Sequence, residues 1–553
     1  MNDRVKKIAI VALKIIAIEE CVSYIVSNGF LTPDSLPVSP LFIISFVVLL
    51  ALYWRSHPIK VPQVFIVFFV TFFAVQLRAS LAWCAKTFPL QDANAVLLTL
   101  AMPFDEFAYS MVHQYFAATI PNALIIAFLL SALSLFMLGD LWKRLIPALV
   151  YFVGTVALFI YETPIKDYVT ALIGEPEDCA SYSPFFVENY VYSDSVKITV
   201  PENKRNLIVL FMESMETSFA DKLNGGYLDE NLMPELTRLA QQNVNFGRSG
   251  NHIGGGFDTR GASHTFGATV SKTLGVPMVR VYSETPAYLY YNSVYKTLDK
   301  QNYHQVFFQG NHGLFPQFKR YFQDQTVKEI YGPDDLIERL HINEEEMTRN
   351  HAAKSVPDKD AFVFAEQILD TISEPFSLTF FTIDTHSPYG IYDGDCVKAT
   401  DEKNKDEILK ACVQCVSKQL DLFLSYIKSK PFYENTTIVV FGDHLFMGDR
   451  LVKESPSRKW VNIFINPAKK PLQEENRIYT DVDMYPTILS AMGYNIEGER
   501  LGLGVDLFGN KKTLVEQMGL DSLNKEIEKL VGHLTYESYR VIKKNANEQE
   551  RSD

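Results

Sequence analysis

Two hydrophobic patterns divide the chain near residue 165. Before that point apolar residues run on without polar alternation over Ile8–Val26, Pro40–Trp54, Val61–Cys84, Ala117–Leu138 and Leu145–Tyr161. A helix needs roughly 20 apolar residues to cross a bilayer, so these runs predict five membrane spans, the second being the shortest. Glu19 and Glu20 interrupt the first run and no small-x-small site follows it, so it reads as a retained span rather than a cleaved signal. From residue 204 the pattern changes to short apolar runs separated by helical ones. Asn206–Met212, Val306–Phe308, Ser377–Ile383, Thr437–Phe441 and Val461–Ile465 read as buried strands, with Asp360–Ile372 and Lys410–Ser429 as helices between them. This alternation predicts an α/β domain with a mostly parallel sheet, whose ligands bind at the carboxyl ends of the strands. The expected organisation is a transmembrane domain over 1–165, a linker over 166–203, an α/β domain over 204–510 and a charged tail over 511–553.

Charge sharpens this division. Ten basic and nine acidic residues leave the first part at +1, so the rest of a chain of net charge −13 carries −14. That acidity excludes a general nucleic-acid binder. The 39 Phe and 28 Tyr exclude a disordered chain. Arg4, Lys6 and Lys7, then Arg55 and Lys60, then Lys143 and Arg144 mark one side of the membrane as cytoplasmic. The expected topology is a multi-pass membrane protein, with a cytoplasmic N-terminus and the large domain in the periplasm or outside the cell. Cys179, Cys396, Cys412 and Cys415 then lie in an oxidising compartment, and pairing of Cys396 with Cys412 or Cys415 would close a short loop.

Candidate chemistry sits at strand ends. Asn206–Met212 runs into Glu213-Ser-Met-Glu216, Ser377–Ile383 into Asp384-Thr-His386-Ser-Pro, and Thr437–Phe441 into Gly442-Asp443-His444. Between the first two lies a glycine-rich stretch, Gly254-Gly-Gly-Phe-Asp-Thr-Arg-Gly-Ala-Ser-His264-Thr265, which leads into a predicted helix over Phe266–Leu274. Taken singly, an Asp-His pair or a threonine before a helix is more often a turn or a cap than a site. Taken together, Glu, Asp and His form a ligand set for a divalent ion. A hydroxyl at a helix N-terminus beside such an ion suits nucleophilic attack on an anionic phosphoryl group.

In this order the motifs resemble the alkaline-phosphatase/sulfatase superfamily, in particular the membrane-anchored lipoteichoic acid synthases and phosphoglycerol transferases. Asp481-Val-Asp-Met-Tyr-Pro486 and Gly502-Leu-Gly-Val-Asp506 resemble the closing segment of that superfamily. The resemblance implies a five-helix transmembrane bundle joined to a sulfatase-like domain. It implies that Glu213, Thr265, Asp443 and His444 hold one divalent metal, manganese or magnesium preferred and zinc the alternative. It also implies that Thr265 is the nucleophile and that His386 handles protons or binds the headgroup. Asn311, His312, Arg320 and His264 are further substrate-contact candidates. His312 stands where the family has an acidic residue, and His264 where it has a bulky apolar one. The implied reaction moves phosphoglycerol from phosphatidylglycerol to a glycan, such as a periplasmic glucan, or to a glycerophosphate polymer, and releases diacylglycerol. The alternatives are a phosphoethanolamine transferase acting on lipid A or a glycan, and an inactive membrane-anchored sensor or binding protein. The Leu445-Phe446 that follows His444 weighs against the former, whose members carry Gly-Glu there. No Cys-x-Pro-x-Arg or Ser-x-Pro-x-Arg segment occurs, which argues against a true sulfatase.

Overall fold

The structure is a computed structural model that describes residues 61–87, 106–137, 141–162, 183–278, 291–312, 315–342, 355–387, 389–447, 450–452, 455 and 457–530. These fall into two compact units, one of helices before residue 167 and one formed by the α/β region.

The first unit contains α1 (Val61–Thr87), α2 (Glu106–Met137) and α3 (Leu141–Glu162). Among the described residues one helix, over Pro62–Leu81, is long and apolar enough to cross a membrane. Of the five expected spans, this is the one that meets that length among the described residues. The runs over 8–26 and 40–54 lie outside the described residues, and α2 and α3 carry only the shorter apolar stretches Tyr115–Ser131 and Ala148–Ala157. Lys143 and Arg144 fall inside the first turn of α3 and shorten its apolar length. Polar side chains join α1 to α2. Gln76 Nε2 donates to Tyr115 Oη at 3.1 Å and to Thr119 Oγ1 at 2.9 Å. Such bonds hold helices together where apolar burial discriminates poorly.

In the α/β unit, β1 (Asn206–Met212) is buried along its whole length. Leu207, Val209 and Phe211 enter one apolar core and Ile208, Leu210 and Met212 the other, as the two-residue period of a strand covered on both faces requires. The other strands are β2 (Gly255–Gly256), β3 (His304–Phe308), β4 (Glu329–Tyr331), β5 (Phe376–Phe381), β6 (Thr436–Gly442) and β7 (Trp460–Ile465). The sheet order is β2-β7-β6-β1-β5-β3-β4. β6, β1, β5, β3 and β4 run parallel, whereas β7 is antiparallel to β6 and β2 antiparallel to β7. β1 is therefore central, and its register aligns Phe211 with both Phe381 and Phe441. The residues after β1, β5 and β6 emerge together at one edge.

Ile198–Thr199 pairs with Asn495–Ile496, and Leu514, Leu523, Ile527 and Leu530 are buried in the core. Helix α4 (Pro234–Gln242) packs on α7 (Lys405–Lys428), and α6 (Asp358–Leu369) also lies against α7. A disulfide joins Cys396 to Cys415, while Cys412 is a buried free thiol. Cys179 lies outside the described residues.

Asp358 and Asp384 form a buried pair beneath the loop that follows β5. Asp358 Oδ1 accepts from Ile383 N at 2.6 Å, and Asp384 Oδ2 accepts from Asp358 N at 3.2 Å. Burial pushes the Asp358 carboxyl up from 3.8 to about 7, and burial together with Asp358 raises that of Asp384. The folded chain thus holds protons that the unfolded chain has released, so stability falls as pH rises from about 4 to about 7. Unfolding free energies from urea titrations across that window are expected to decline by a few kcal/mol, about 1.4 kcal/mol for each unit of raised pKa, and Asp358→Asn to reduce the decline. An unchanged slope in the variant would show that Asp358 is not the titrating group.

Candidate active site

The chain leaves β1 through Glu213 and turns at Ser214, which has a left-handed backbone (φ 53°). A serine rarely adopts that conformation, and such strain collects where surrounding contacts enforce it. Here Ser214 N donates to Asp443 Oδ1 and Ser214 Oγ to Glu213 Oε1, each at 2.7 Å. The turn then crosses the end of β6. A Cβ on Gly442 would stand 1.8 Å from Met215 O, so only glycine fits there. The pairing Met212 with Gly442 places Glu213 beside Asp443. Thr382 completes the frame from β5, its Oγ1 accepting from Glu213 N at 2.9 Å.

Glu213, Asp443 and His444 are all buried, and one ligand atom from each lies within 4.8 Å of the others. His444 Nε2 is 3.6 Å from Glu213 Oε1 and 3.5 Å from Asp443 Oδ2. His444 Nδ1 donates to Leu445 O at 2.8 Å, which leaves Nε2 as the lone pair facing the carboxylates. Asp443 Oδ2 is buried without a hydrogen-bond partner. Burial, and then the neighbouring Asp443, push the Glu213 carboxyl up to about 8. Crowded carboxylates, an orphaned oxygen and an imidazole lone pair fit a divalent cation, which would relieve the repulsion and occupy the unused acceptor.

Thr265 opens α5 (Thr265–Leu274), and His264 is its N-cap. Thr265 Oγ1 lies 3.3 Å from Glu213 Oε2 and 3.4 Å from His444 Nε2. The hydroxyl therefore joins the metal-type cluster, at a helix end that attracts anions. His264 packs over the first turn, because a Cβ on Gly267 would meet its Cε1 at 2.7 Å. His386 Nδ1 donates to Ser387 O at 2.7 Å, and burial lowers the pKa of its ring. The other expected contacts have partners elsewhere: His312 Nε2 lies 3.8 Å from Asp334 Oδ1 and Arg320 Nε lies 3.9 Å from Asp324 Oδ2. Asn311 bridges through its backbone to Ser355. The fold thus brings Glu213, Thr265, Asp443 and His444 together and leaves His312 and Arg320 beside carboxylates of their own surroundings.

Several supporting residues escaped the sequence reading. Lys272, fully buried in α5, donates to Asp443 O at 2.7 Å, lies 3.4 Å from Asp481 Oδ1 and sits 4.1 Å over the Trp460 ring. Asp481 Oδ2 accepts from Thr259 N at 2.8 Å, and Asp258 Oδ2 accepts from Leu445 N at 3.1 Å. These bonds tie the glycine-rich loop, the helix of Thr265 and the His444 loop into one frame. A lysine within the otherwise small and apolar helix 266–274 was the available signal, since such a charge must be paired to be buried.

Glu216 and Arg458 form a second buried tie. Arg458 Nε donates to Glu216 Oε2 at 2.7 Å, and its Nη2 to Glu216 Oε1 at 2.6 Å and Phe446 O at 2.7 Å. Removing one partner strands the other's charge in the interior. Arg458→Leu is expected to cost about 3–5 kcal/mol in denaturant unfolding, with much of that recovered in the double variant Glu216→Leu/Arg458→Leu. Equal losses in the single and double variants would contradict this account.

The family model described as Sulfatase matches residues 205–494, more than half of the chain. Phosphoglycerol transferase I of Escherichia coli (strain 55989 / EAEC) is 26% identical over 318 residues, which cover 55% of this chain and 39% of that protein. The protein of the same name from Escherichia fergusonii is 27% identical over 329 residues, covering 57% of this chain and 40% of that one. The matches therefore span about two fifths of these relatives. Among solved structures, the lipoteichoic acid synthase LtaP from Listeria monocytogenes is 18% identical with a TM-score of 0.44, covering 57% of this chain and 79% of that chain. The integral membrane lipooligosaccharide phosphoethanolamine transferase A (EptA) from Neisseria meningitidis is 13% identical with a TM-score of 0.45, covering 87% of this chain and 95% of that chain.

Proposed function

This chain belongs to the sulfatase family, and from that premise we propose that it is a membrane-anchored transferase that moves phosphoglycerol from phosphatidylglycerol to an extracytoplasmic hydroxyl acceptor. One observation carries the reading: the Thr265 hydroxyl stands at a helix N-terminus, 3.3 Å from Glu213 Oε2 and 3.4 Å from His444 Nε2. The naming of the relatives as phosphoglycerol transferase I supports the donor. The apolar length of α1 supports an anchor in the membrane where that lipid lies, and the Cys396–Cys415 disulfide supports an oxidising compartment for the α/β unit. The acceptor is a glycan or a glycerophosphate polymer.

Glu213, Thr265, Asp443 and His444 would hold the metal, manganese or magnesium in preference to zinc. Once bound, the ion supplies positive charge that makes the hydroxyl easier to ionise and neutralises charge developing on the phosphoryl oxygens. The residues do the rest in two displacements. In the first, Thr265 Oγ1 forms a bond to phosphorus while the bond from phosphorus to the diacylglycerol oxygen breaks. Glu213 accepts the threonine proton, and water gives a proton to the departing diacylglycerol oxygen. In the second, the acceptor oxygen takes the phosphorus from Thr265. The Nε2 lone pair of His386 accepts the acceptor's proton and passes it to water, and Glu213 returns its own proton to Thr265. Backbone N–H groups at the start of α5 orient the phosphoryl oxygens throughout.

The test uses the full chain in detergent with manganese and phosphatidylglycerol labelled in its headgroup. Release of diacylglycerol and label on the protein support the reading. Release from phosphatidylethanolamine alone would replace the donor, and release from neither lipid would replace catalysis with binding.

A further inference from the structure

A cavity of the α/β unit shares no lining residue with the cluster of Glu213, Asp443 and His444. It measures about 490 Å³ and is walled by residues of the turn at 223–224, of α4 and of the 245–253 segment. Asn224, Gln241 and Asn251 bring side-chain amides to it, and His252 brings an imidazole. No carboxylate belongs to its lining. Its cation, Arg248, lies 3.5 Å from Glu474 Oε1 and 3.8 Å from Glu475 Oε1, so its charge is already countered.

The walls are braced. Gln241 Nε2 donates to Asn224 Oδ1 at 2.7 Å and to Asn251 O at 3.3 Å, and Ile253 N donates to Asn224 O at 2.9 Å. Gly225, at φ 88°, lets the imidazole-bearing backbone approach, since a Cβ there would stand 2.7 Å from His252 Cβ. At the mouth Leu223 is 81% exposed, an apolar surface that the chain itself does not cover.

We propose that this cavity binds a sugar unit of a neutral glycan. Amides both donate and accept, as do the neighbouring hydroxyls of a sugar ring, and Leu223 offers an apolar surface to the C–H face of the ring. An anion would need an uncompensated cation, which Arg248 does not supply. The Asn224 amide is already bonded to Gln241 Nε2 through Oδ1 and to Asp221 Oδ1 through Nδ2, so Gln241 Oε1 and the Asn251 side chain are the groups offered to the sugar. Ile253 of this lining directly precedes the glycine-rich segment that contains β2 and leads to Thr265. As an acceptor-holding site the cavity rests on the transfer reading above; as a sugar site it does not.

Saturation-transfer NMR on the full chain in detergent tests this, with glucose, galactose and glycerol as neutral probes and inorganic phosphate and glycerol 3-phosphate as charged ones. Glucose or galactose is expected to bind saturably. Gln241→Ala/Asn251→Ala is expected to weaken that binding about tenfold or more, the equivalent of one to two hydrogen bonds. Leu223→Arg, at the exposed mouth, is expected to block it without altering the unfolding temperature. Thr265→Ala is expected to leave sugar binding intact, which separates this site from catalysis. Failure of both sugars to bind, binding indifferent to the cavity variants, or displacement of the sugar by inorganic phosphate would each overturn the proposal. Sugar binding in a protein that turns over no phospholipid would leave the site standing and remove only the transfer reading.

Discussion

Thr265→Ala is expected to abolish label transfer, lowering diacylglycerol release by at least about 10³-fold, because it removes the hydroxyl that attacks phosphorus at the helix N-terminus. The substitution removes a hydroxyl that lies 3.3 Å from Glu213 and 3.4 Å from His444, and it leaves the rest of α5 in place. The fold therefore survives, and the loss reads on chemistry. Thr265→Ser keeps a nucleophile at the same helix end and is expected to retain measurable turnover. The checking measurement is intact-protein mass spectrometry after exposure to labelled phosphatidylglycerol. A phosphoglycerol adduct that persists on the alanine variant would remove Thr265 from the mechanism.

The second large effect concerns the metal. Asp443→Asn keeps an oxygen for the bonds from Ser214 N and His444 N, each 2.7 Å long, so the turn stays formed. What it removes is the charge of a fully buried carboxylate whose Oδ2 has no hydrogen-bond partner. Altering groups that merely support a metal ligand costs roughly 10–100-fold in affinity, so losing a ligand's charge is expected to weaken manganese binding by more than about 100-fold. Equilibrium dialysis measures this directly. The wild-type chain is also expected to gain thermal stability with added metal, because a ligand that binds only the folded state stabilises it, and the variant is expected to lose that gain. Undiminished binding in the Asn variant would assign the cation to other residues. Chelation of the wild-type protein is expected to stop diacylglycerol release, and added manganese to restore it.

The strand ends that hold this chemistry were legible in the sequence for a definite reason. A strand covered on both faces must be apolar throughout, so Asn206–Met212 and Thr437–Phe441 stand out, and the first polar residues after them are at the sheet edge by necessity. The apolar run Ser377–Ile383 extends two residues past its strand, because Thr382 and Ile383 remain buried after pairing has stopped at Phe381. The antiparallel direction of Trp460–Ile465 was not legible, since a buried apolar run looks the same in either direction. The helical unit marks the same limit: apolar length is local, whereas the extent of each helix also depends on its flanking charges and on its neighbours.

By itself, then, the sequence determined which side chains are available for chemistry and that they leave the strands at one kind of end. Burial and backbone period leave a direct imprint on residue type. Only the tertiary structure decided that β1 lies between β5 and β6 and that Ser214 takes a left-handed turn. It alone decided that Lys272, Asp481 and Arg458 fasten the loops around Glu213 and Asp443. Those facts rest on contacts between residues up to more than 200 positions apart, such as Glu216 with Arg458, and no local pattern of polarity records which distant partner a buried charge will meet.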